Sequence, residues 1–213
     1  QAFYAPQAAD YDRFRERLLH GREALVRLME ILAGARVVEL GGGTGSNLAL
    51  FGQRLTSFEA VELVDLCPAL LEQARMRTRA LANVRVIEAD ATTYRPKQRP
   101  DAVYFSYALT MIPDWRAAIH NAIEMLAPGG LLGAVDFYVS DARGGPGTVR
   151  HGAFTRHFWP RWFGHDGVHP KPDHLRLLRA QLPDCQLLEC RAPVPYLPGL
   201  RVPYYIFVGR KPN

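Results

Sequence analysis

The sequence predicts an α/β fold: one domain over residues 1–213, built on a seven-stranded, mostly parallel sheet with an antiparallel C-terminal strand and helices on both faces. Short β-branched runs alternate with amphipathic stretches along most of the chain, which is the pattern of parallel βαβ units. The last two runs lie close together with prolines and a glycine between them, which favours an antiparallel hairpin over a crossover. At 213 residues, 48% of them hydrophobic, the chain is long enough to bury one large core.

The N-terminal segment, residues 1–32, is predicted to be a helical cover over the sheet. Phe14, Leu18, Leu25 and Leu32 are among the apolar residues that recur there at helical intervals. Arginines accompany this apolar stripe, so the segment could also lie on anionic lipid. We favour packing on the sheet as its main role.

Five strands are predicted before residue 140, with helices between them. They run over 35–41, 58–65, 84–89, 101–107 and 131–138. Residues 139–171 are rich in glycine, proline and aromatic residues, and we expect an insertion on the substrate side of the domain. A helix near 172–182, a strand near 185–193 and a last strand at 203–210 complete the predicted order.

Composition limits the compartment and the partners. The net charge is only +5, carried by 23 arginines and three lysines that are dispersed along the chain. This distribution does not by itself indicate a nucleic-acid groove. The positive charge would suit an anionic membrane surface as well as it would suit nucleic acid. The three cysteines form no CxxC pair, which favours a reducing cytosol. The sequence shows no spanning stretch of about 20 apolar residues and no signal-peptide pattern, so we expect a soluble or peripheral protein.

The stretch "VVELGGGTGSNL", residues 37–48, places four glycines where the first strand should end. A glycine-rich turn at that place lets a ligand approach the backbone and meet the amino terminus of the next helix. Dinucleotides and S-adenosylmethionine both use such a turn, and a tight turn without a ligand is the remaining alternative. The glycines are Gly41, Gly42, Gly43 and Gly45.

Two aspartates follow at the ends of the next two predicted strands. Asp65 lies about 20 residues after the glycines, where a carboxylate can accept both ribose hydroxyls of either cofactor. Asp90 lies where a carboxylate could accept from the exocyclic amine of adenine. Each aspartate alone could cap the next helix instead. Their order along the chain is what favours a cofactor site.

Together with Glu39 and "LAPGGLL" (126–132), this series resembles the class I S-adenosylmethionine-dependent methyltransferases over roughly residues 30 to 140. The resemblance implies S-adenosylmethionine as cofactor, with Glu39 on the side of its methionine amino group. In related folds an N-terminal segment closes over the methionine end, which adds Tyr11 and Arg22. The implied cofactor-binding residues are Tyr11, Arg22, Glu39, Gly41, Gly43, Gly45, Asn47, Asp65, Leu66, Asp90, Ala91 and Ser106.

The acceptor side is indicated by four further segments. They are "FSYALTMIPDW" (105–115), "GAVDFYVS" (133–140), "FTRHFWPRWFGHDGVHPKPDHL" (154–175) and "VPYLPGLRVPYYIFVGRK" (194–211). The first lacks the Asn/Asp-Pro-Pro-Tyr run common in methylases of amide or adenine nitrogens, which argues against methylation of nucleic-acid bases. Together the four resemble the N-methyltransferases of betaine-lipid synthesis.

That resemblance implies three successive methylations of one amine, converting diacylglycerylhomoserine into diacylglyceryl-trimethylhomoserine. It also implies a cytoplasmic protein bound peripherally to the inner face of the membrane, with possible association with the enzyme that makes the homoserine lipid. Two alternatives stay open. One is a methyltransferase acting on a soluble amine, phosphatidylethanolamine or a quinone precursor, and the other is a non-catalytic cofactor-binding partner subunit.

Tyr107, Asp136 and Tyr138 are the candidate catalytic residues, because they flank the ends of strands four and five and could remove the amine proton. Core packing or helix capping is the alternative for each.

Residues 154–169 combine aromatic rings with three histidines. The functional interpretation is a lid whose rings hold the ammonium of the acceptor, and the alternative is an aromatic core under a long loop. The histidine spacing matches no metal motif, so we predict no metal site. The candidate substrate-binding residues are Phe158, Trp159, Trp162 and His165.

Overall fold

The computed structural model describes residues 17–145, 147–195 and 197–213. They form a seven-stranded sheet in the order β3-β2-β1-β4-β5-β7-β6, which confirms the predicted fold class. The strands β1 to β5 pair in parallel, and β7 is antiparallel to both of its neighbours. The strands are β1 (Arg36–Leu40), β2 (Ala60–Asp65), β3 (Val84–Glu88), β4 (Ala102–Ser106), β5 (Leu131–Phe137), β6 (Cys185–Val194) and β7 (Leu197–Arg210).

Helices cover both faces of this sheet. Leu25, Leu71 and Trp159 belong to the core on one face, whereas Ile119 and Leu178 belong to the core on the other. None of the described helices has the length and apolar character needed to cross a bilayer. The helices are α1 (Arg22–Leu28), α2 (Pro68–Thr78), α3 (Trp115–Met125), α4 (Ala153–Gly164) and α5 (Asp173–Gln181).

The N-terminal cover differs from the continuous helix that the apolar stripe predicts. The helix is interrupted before α1, where Gly21 has a φ of 82°. A Cβ at Gly21 would lie 2.5 Å from the Tyr204 ring, so the chain passes too close to β7 for another residue. Leu32, predicted on the buried stripe, is 77% exposed beyond the end of the helix. Residues 1–16, which include Tyr11 and Phe14, lie outside the described residues.

Two further boundaries differ from the sequence prediction. The segment after the glycine turn is a 3₁₀ helix, Ser46–Ser57, with a kink at Gly52 rather than one α-helix. The hairpin strands extend into the proline-rich stretch, so that Val194 pairs with Leu197. Proline is tolerated at Pro193 because β6 is the edge strand, where one side of the backbone needs no partner.

Candidate cofactor and methyl-transfer site

The glycine turn lies at the carboxyl end of β1 and has three left-handed residues. Gly41, Gly43 and Gly45 have φ values of 74°, 54° and 72°, a region that favours glycine. A Cβ at Gly41 would lie 2.5 Å from the Ala108 Cβ, and one at Gly45 would lie 3.0 Å from the Leu63 Cδ1. Packing within the chain therefore explains part of the glycine pattern, as the alternative of a tight turn predicts. Gly41 and Gly43 also line a cavity of 590 Å³.

Asp65 holds two turns together at the edge of this cavity. Its Oδ2 accepts a hydrogen bond from the Gly43 N–H at 2.8 Å, and its Oδ1 accepts from the Cys67 N–H at 2.9 Å. Each carboxylate oxygen has a second lone pair, so the group can still accept hydrogen bonds from a diol. Asp65 thus shapes the turn and remains able to bind ribose.

Asp90 lies across the cavity beside apolar walls. Its Oδ1 accepts from both the N–H and the hydroxyl of Thr92, each at 2.8 Å. Because both of these bonds fall on Oδ1, Oδ2 is available to accept from an exocyclic amine. Leu66, 51% exposed, and Ala91 line the cavity nearby, where they could contact the faces of a flat base.

Glu39 is fully buried beneath the turn rather than in the cavity wall. Its Oε1 accepts from Asn47 Nδ2 at 2.6 Å, and its Oε2 accepts from the Tyr104 hydroxyl at 2.8 Å. Asn47 Oδ1 in turn accepts from Arg22 Nη1 at 3.1 Å. Burial, and then the Glu39 charge, raise the pKa of Tyr104 well above its usual value. This network ties α1, the 3₁₀ segment, β1 and β4 together under the predicted methionine end.

Ser106 and Tyr107 form the carboxyl end of β4. The Ser106 hydroxyl is buried and has no hydrogen-bond partner among the described residues. Tyr107 has a φ of 54°, which is strained for a residue with a Cβ, and its hydroxyl donates to the His20 carbonyl at 2.6 Å. Burial raises the pKa of Tyr107 well above its usual range. Tyr107 therefore serves the cavity as a fixed aromatic wall, not as a base.

Asp136 supports the loop that follows β4. Its Oδ2 accepts from the Thr110 N–H at 3.0 Å, and its Oδ1 accepts from the Thr110 hydroxyl at 2.7 Å and the Phe137 N–H at 2.8 Å. Burial raises the pKa of Asp136 to about 7, although these hydrogen bonds oppose the shift. The supported loop carries Met111 and Ile112, which line the cavity. The geometry makes Asp136 a positioning residue, in place of the catalytic role predicted.

Tyr138 does not reach the cofactor cavity, contrary to the prediction. Successive side chains of a strand point to opposite faces, so Tyr138 faces away from Phe137. Its hydroxyl donates to Glu189, and its ring lines a separate cavity of 620 Å³ beside α5. Tyr138 thus lies at the predicted end of β5, but on the face that points away from the cofactor cavity.

The aromatic insertion is largely core rather than lid. Trp159 is 1% exposed, and its ring centroid lies 5.7 Å from that of Phe163. Phe163 stacks on Phe137 at 4.6 Å, and Phe137 lies 4.6 Å from Tyr107. The predicted substrate contact of Trp159 is therefore wrong, because that ring is enclosed in the core.

The other three candidates in the insertion occupy different environments. Phe158 and Trp162 are half-buried against the same core, edge-on to Trp159. His165 is exposed just beyond the end of α4. No group of three His, Cys, Asp or Glu side chains suited to a metal ion occurs in the described parts of the chain.

A family model described as a methyltransferase domain matches residues 11–186, which is most of the chain. The chain belongs to the class I S-adenosylmethionine-dependent methyltransferases. Its cofactor is S-adenosylmethionine, as the sequence predicts. The cavity fits this group: its volume lies in the usual range of about 300–1,000 Å³ for ligand sites, and the buried Ser106 hydroxyl, one residue before the lining residue Tyr107, lacks a partner among the described residues.

Known methyltransferases resemble the chain over part or all of its length. Trans-aconitate 2-methyltransferase of Methylobacterium radiotolerans is 34% identical over 122 residues, 57% of this chain and 45% of the relative. The ubiquinone/menaquinone biosynthesis C-methyltransferase UbiE of Pseudomonas putida is 30% identical over 61% of this chain and 54% of its own length. The chain thus spans about half the length of these relatives.

Solved structures show the same fold. The N-methyltransferase NodS of Bradyrhizobium japonicum, in complex with S-adenosyl-L-homocysteine, superposes with a TM-score of 0.67 at 19% identity, over 93% of this chain and 87% of that chain. At this identity the likeness concerns the fold alone.

Sequence reasoning missed two residues of the site. Tyr104 binds Glu39 across 65 positions of the chain, and no local pattern indicates such a pair. Thr92 orients Asp90, and the sequence "DAT" offers a signal for it, because a threonine two residues after an aspartate commonly closes a turn of this kind.

Proposed function

We propose that this methyltransferase transfers methyl groups to the amine of diacylglycerylhomoserine and produces its trimethylated betaine lipid. The observation that carries the proposal is the Tyr107 ring, which lines the cofactor cavity and is backed by Phe137 and then Phe163, with neighbouring rings of this aromatic run 4.6 Å apart. Each ring comes from a different segment of those that resemble the betaine-lipid enzymes. Tyr204, from the fourth segment, pairs with Phe137 across β5 and β7.

Aromatic rings suit an acceptor that becomes a permanent cation. Ring faces attract ammonium groups by about 0.5–2 kcal/mol, depending on how far the cation is desolvated. The attraction persists as methyl groups replace N–H hydrogens, whereas hydrogen bonds to the amine are lost. The Tyr107 ring, held in place by the rings behind it, can therefore help to retain the headgroup between successive methylations.

The chain contributes position more than acid–base chemistry. S-adenosylmethionine, when bound, supplies a methyl group on a sulfonium, and the attacking amine must be neutral. Holding that amine in line with the methyl group can supply several kcal/mol of the barrier. Tyr107 is fixed for this task by its hydrogen bond to His20 and by Phe137, while Asp136 holds the adjoining loop. Burial raises the pKa of Tyr107, so its phenol stays protonated and does not take the proton of the amine.

The same proposal includes a peripheral position on the inner face of the membrane. Phe154 is 61% exposed at the start of α4, and Val149 just before it is exposed too. Arg150 is exposed nearby and would meet anionic headgroups. A transient complex with the enzyme that makes the homoserine lipid would deliver the substrate without its release from the membrane.

An acceptor panel tests the proposal. Purified protein and labelled S-adenosylmethionine are incubated with vesicles of diacylglycerylhomoserine or phosphatidylethanolamine, and with soluble amines. The homoserine lipid should be labelled fastest, and only when presented in vesicles or detergent. Faster turnover of phosphatidylethanolamine or a soluble amine would refute the proposed acceptor.

A second candidate function is methylation of a carboxylate oxygen. It is favoured by the 34% identity to a trans-aconitate 2-methyltransferase over 57% of the chain. Alkali distinguishes the two products, because a methyl ester is hydrolysed and an N-methyl group is not. Alkali-labile label from trans-aconitate, with none in the amine lipid, would favour this second function.

A further inference from the structure

Arg156, near the start of α4, has an unusual environment. Its Nε and Nη1 atoms are buried and have no hydrogen-bond acceptor among the described residues. Its backbone N–H, in contrast, donates to the Gly152 carbonyl at 3.1 Å as helical geometry requires. The backbone is thus satisfied while two of the three guanidinium nitrogens are not.

The position of Arg156 on α4 indicates the direction of its side chain. Residues three and seven positions apart share a helix face, so Arg156 lies on the face of Trp159 and Phe163. Both of those rings are buried, and Phe163 stacks on Phe137 at 4.6 Å, at the carboxyl end of β5. Arg156 therefore faces the same edge of the sheet as the aromatic run.

This arrangement is costly for the protein alone. A guanidinium remains charged at any ordinary pH, and burying its donors without acceptors is unfavourable. A positive charge in the first turn of a helix is disfavoured by the helix dipole as well. Arg161 on the same helix shows the ordinary alternative, since it is exposed and donates to the His157 carbonyl.

A second buried polar atom without a partner in the described part of the chain belongs to His20, beside Tyr107 at one end of the run. His20 Nε2 is buried and has no partner among the described residues, and the His20 carbonyl holds the Tyr107 hydroxyl. Arg156 and His20, far apart in sequence, thus both carry buried polar atoms that lack a partner within the described residues. A polar ligand that reached these atoms would satisfy them.

We propose that Arg156 binds the carboxylate of the methyl acceptor, so that the site selects an amine that carries a carboxylate. Arginine suits this role because its charged, planar donors match carboxylate oxygens and stay charged throughout the reaction. The inference rests on the proposed function, because it assumes that the acceptor amine occupies the space beside the aromatic run. A carboxylate contact at Arg156 would let the enzyme distinguish amine lipids that carry a carboxylate from those that do not, which aromatic rings alone cannot do.

The test compares two acceptors on four proteins. The acceptors are diacylglycerylhomoserine and the same ether lipid with a 3-aminopropyl group in place of the homoserine, which lacks only the carboxylate. The proteins are the wild type, Arg156→Gln, Arg156→Lys and the control Arg161→Gln. Melting temperature and affinity for S-adenosylhomocysteine are measured for each, so that a folding defect is recognised.

Arg156→Gln should lower kcat/KM for the homoserine lipid by about ten- to hundredfold, the usual value of a hydrogen bond to a charged group. It should leave the low rate with the aminopropyl lipid unchanged. Arg156→Lys should recover part of the loss, and Arg161→Gln should behave as wild type. An equal loss with both lipids, or no loss with either, would overturn the inference.

Failure of the proposed function has a different signature. If the wild type labels neither lipid, the acceptor is wrong, and trans-aconitate then serves as a carboxylate probe in a thermal shift assay with S-adenosylhomocysteine present. A stabilisation seen in the wild type and Arg161→Gln but absent in Arg156→Gln would support Arg156 as a carboxylate site. No stabilisation of the wild type, or equal stabilisation of all proteins, would overturn it.

Discussion

At the scale of single residues, Asp65 and Asp90 each combine a local structural bond with a free acceptor that faces the cavity. Asp65 fixes Gly43 and Cys67, and Asp90 fixes Thr92. Neither aspartate caps a helix, the alternative that the sequence left open: the N-cap of α2 is Cys67, and Asp90 closes a turn with Thr92. A carboxylate that is already held by backbone and side-chain donors pays less conformational entropy when a ligand binds.

The role of Asp90 can be tested by exchanging an acceptor for a donor. Asp90→Asn keeps an oxygen for Thr92 but places an NH₂ group where Oδ2 would meet the adenine amine. We expect S-adenosylhomocysteine to bind this variant about ten- to hundredfold more weakly. S-inosylhomocysteine, which has a carbonyl in place of the amine, should bind the variant better than it binds the wild type. Calorimetric titrations measure both affinities, and an unchanged preference for the adenine ligand would contradict the assignment.

Asp136 predicts a pH dependence of stability. Its pKa is raised by burial to about 7, so the folded state holds the proton more tightly than the unfolded state. This contribution to stability is fully present below about pH 4 and is lost as the pH rises to about 7, by up to about 1.4 kcal/mol per pH unit.

In Asp136→Asn this contribution is absent. Urea unfolding across the same pH range should show the free energy of unfolding of the wild type falling relative to that of the variant as the pH rises. The difference should become constant above about pH 7. A constant difference over the whole range would show that Asp136 titrates normally in the folded protein.

At the scale of elements, the sheet was predictable and the faces of its strands were less so. Alternation of apolar runs located all seven strands, because parallel buried strands are short and β-branched. The sequence did not locate the helix break at Gly21, since the reason for it is contact with Tyr204 on the distant strand β7. Tyr138 was misassigned although the alternation of side chains within β5 is a local rule, because the face that β5 turns toward α4 depends on packing.

Two aromatic residues of α4 allow the stability contributions of a fully buried ring and a half-buried ring to be compared. Trp159→Leu removes a fully enclosed ring and should lower the free energy of unfolding by about 2–3 kcal/mol. Phe158→Leu removes a half-buried ring and should cost clearly less. Denaturant titration of both variants measures the difference. If Phe158→Leu were as destabilising as Trp159→Leu, the core would extend further along α4 than we infer.

At the scale of the whole molecule, the cofactor cavity and the aromatic run meet at one edge of the sheet. Ligands of open α/β sheets bind outside the carboxyl ends of the strands, at the point where the strand order reverses. In this sheet that point lies between the neighbouring strands β1 and β4. Glu39, Asp65 and Phe137 lie in the last residues of β1, β2 and β5, while Asp90 and Tyr107 follow β3 and β4. The fold thus brings a cofactor half and an acceptor half together from consecutive strands.

The central claim is that these two halves methylate the amine of the homoserine lipid, and mass spectrometry of the product tests it most directly. Wild-type protein is incubated with diacylglycerylhomoserine and S-adenosylmethionine that carries a trideuterated methyl group, and the lipid is fragmented to locate the label. We predict up to three labelled methyl groups, all on the headgroup nitrogen. Asp65→Ala should form this product more slowly, because the variant lacks the carboxylate that we expect to bind the ribose of the cofactor. Label on the carboxylate, or an unlabelled lipid while wild-type protein binds S-adenosylhomocysteine normally, would contradict the claim.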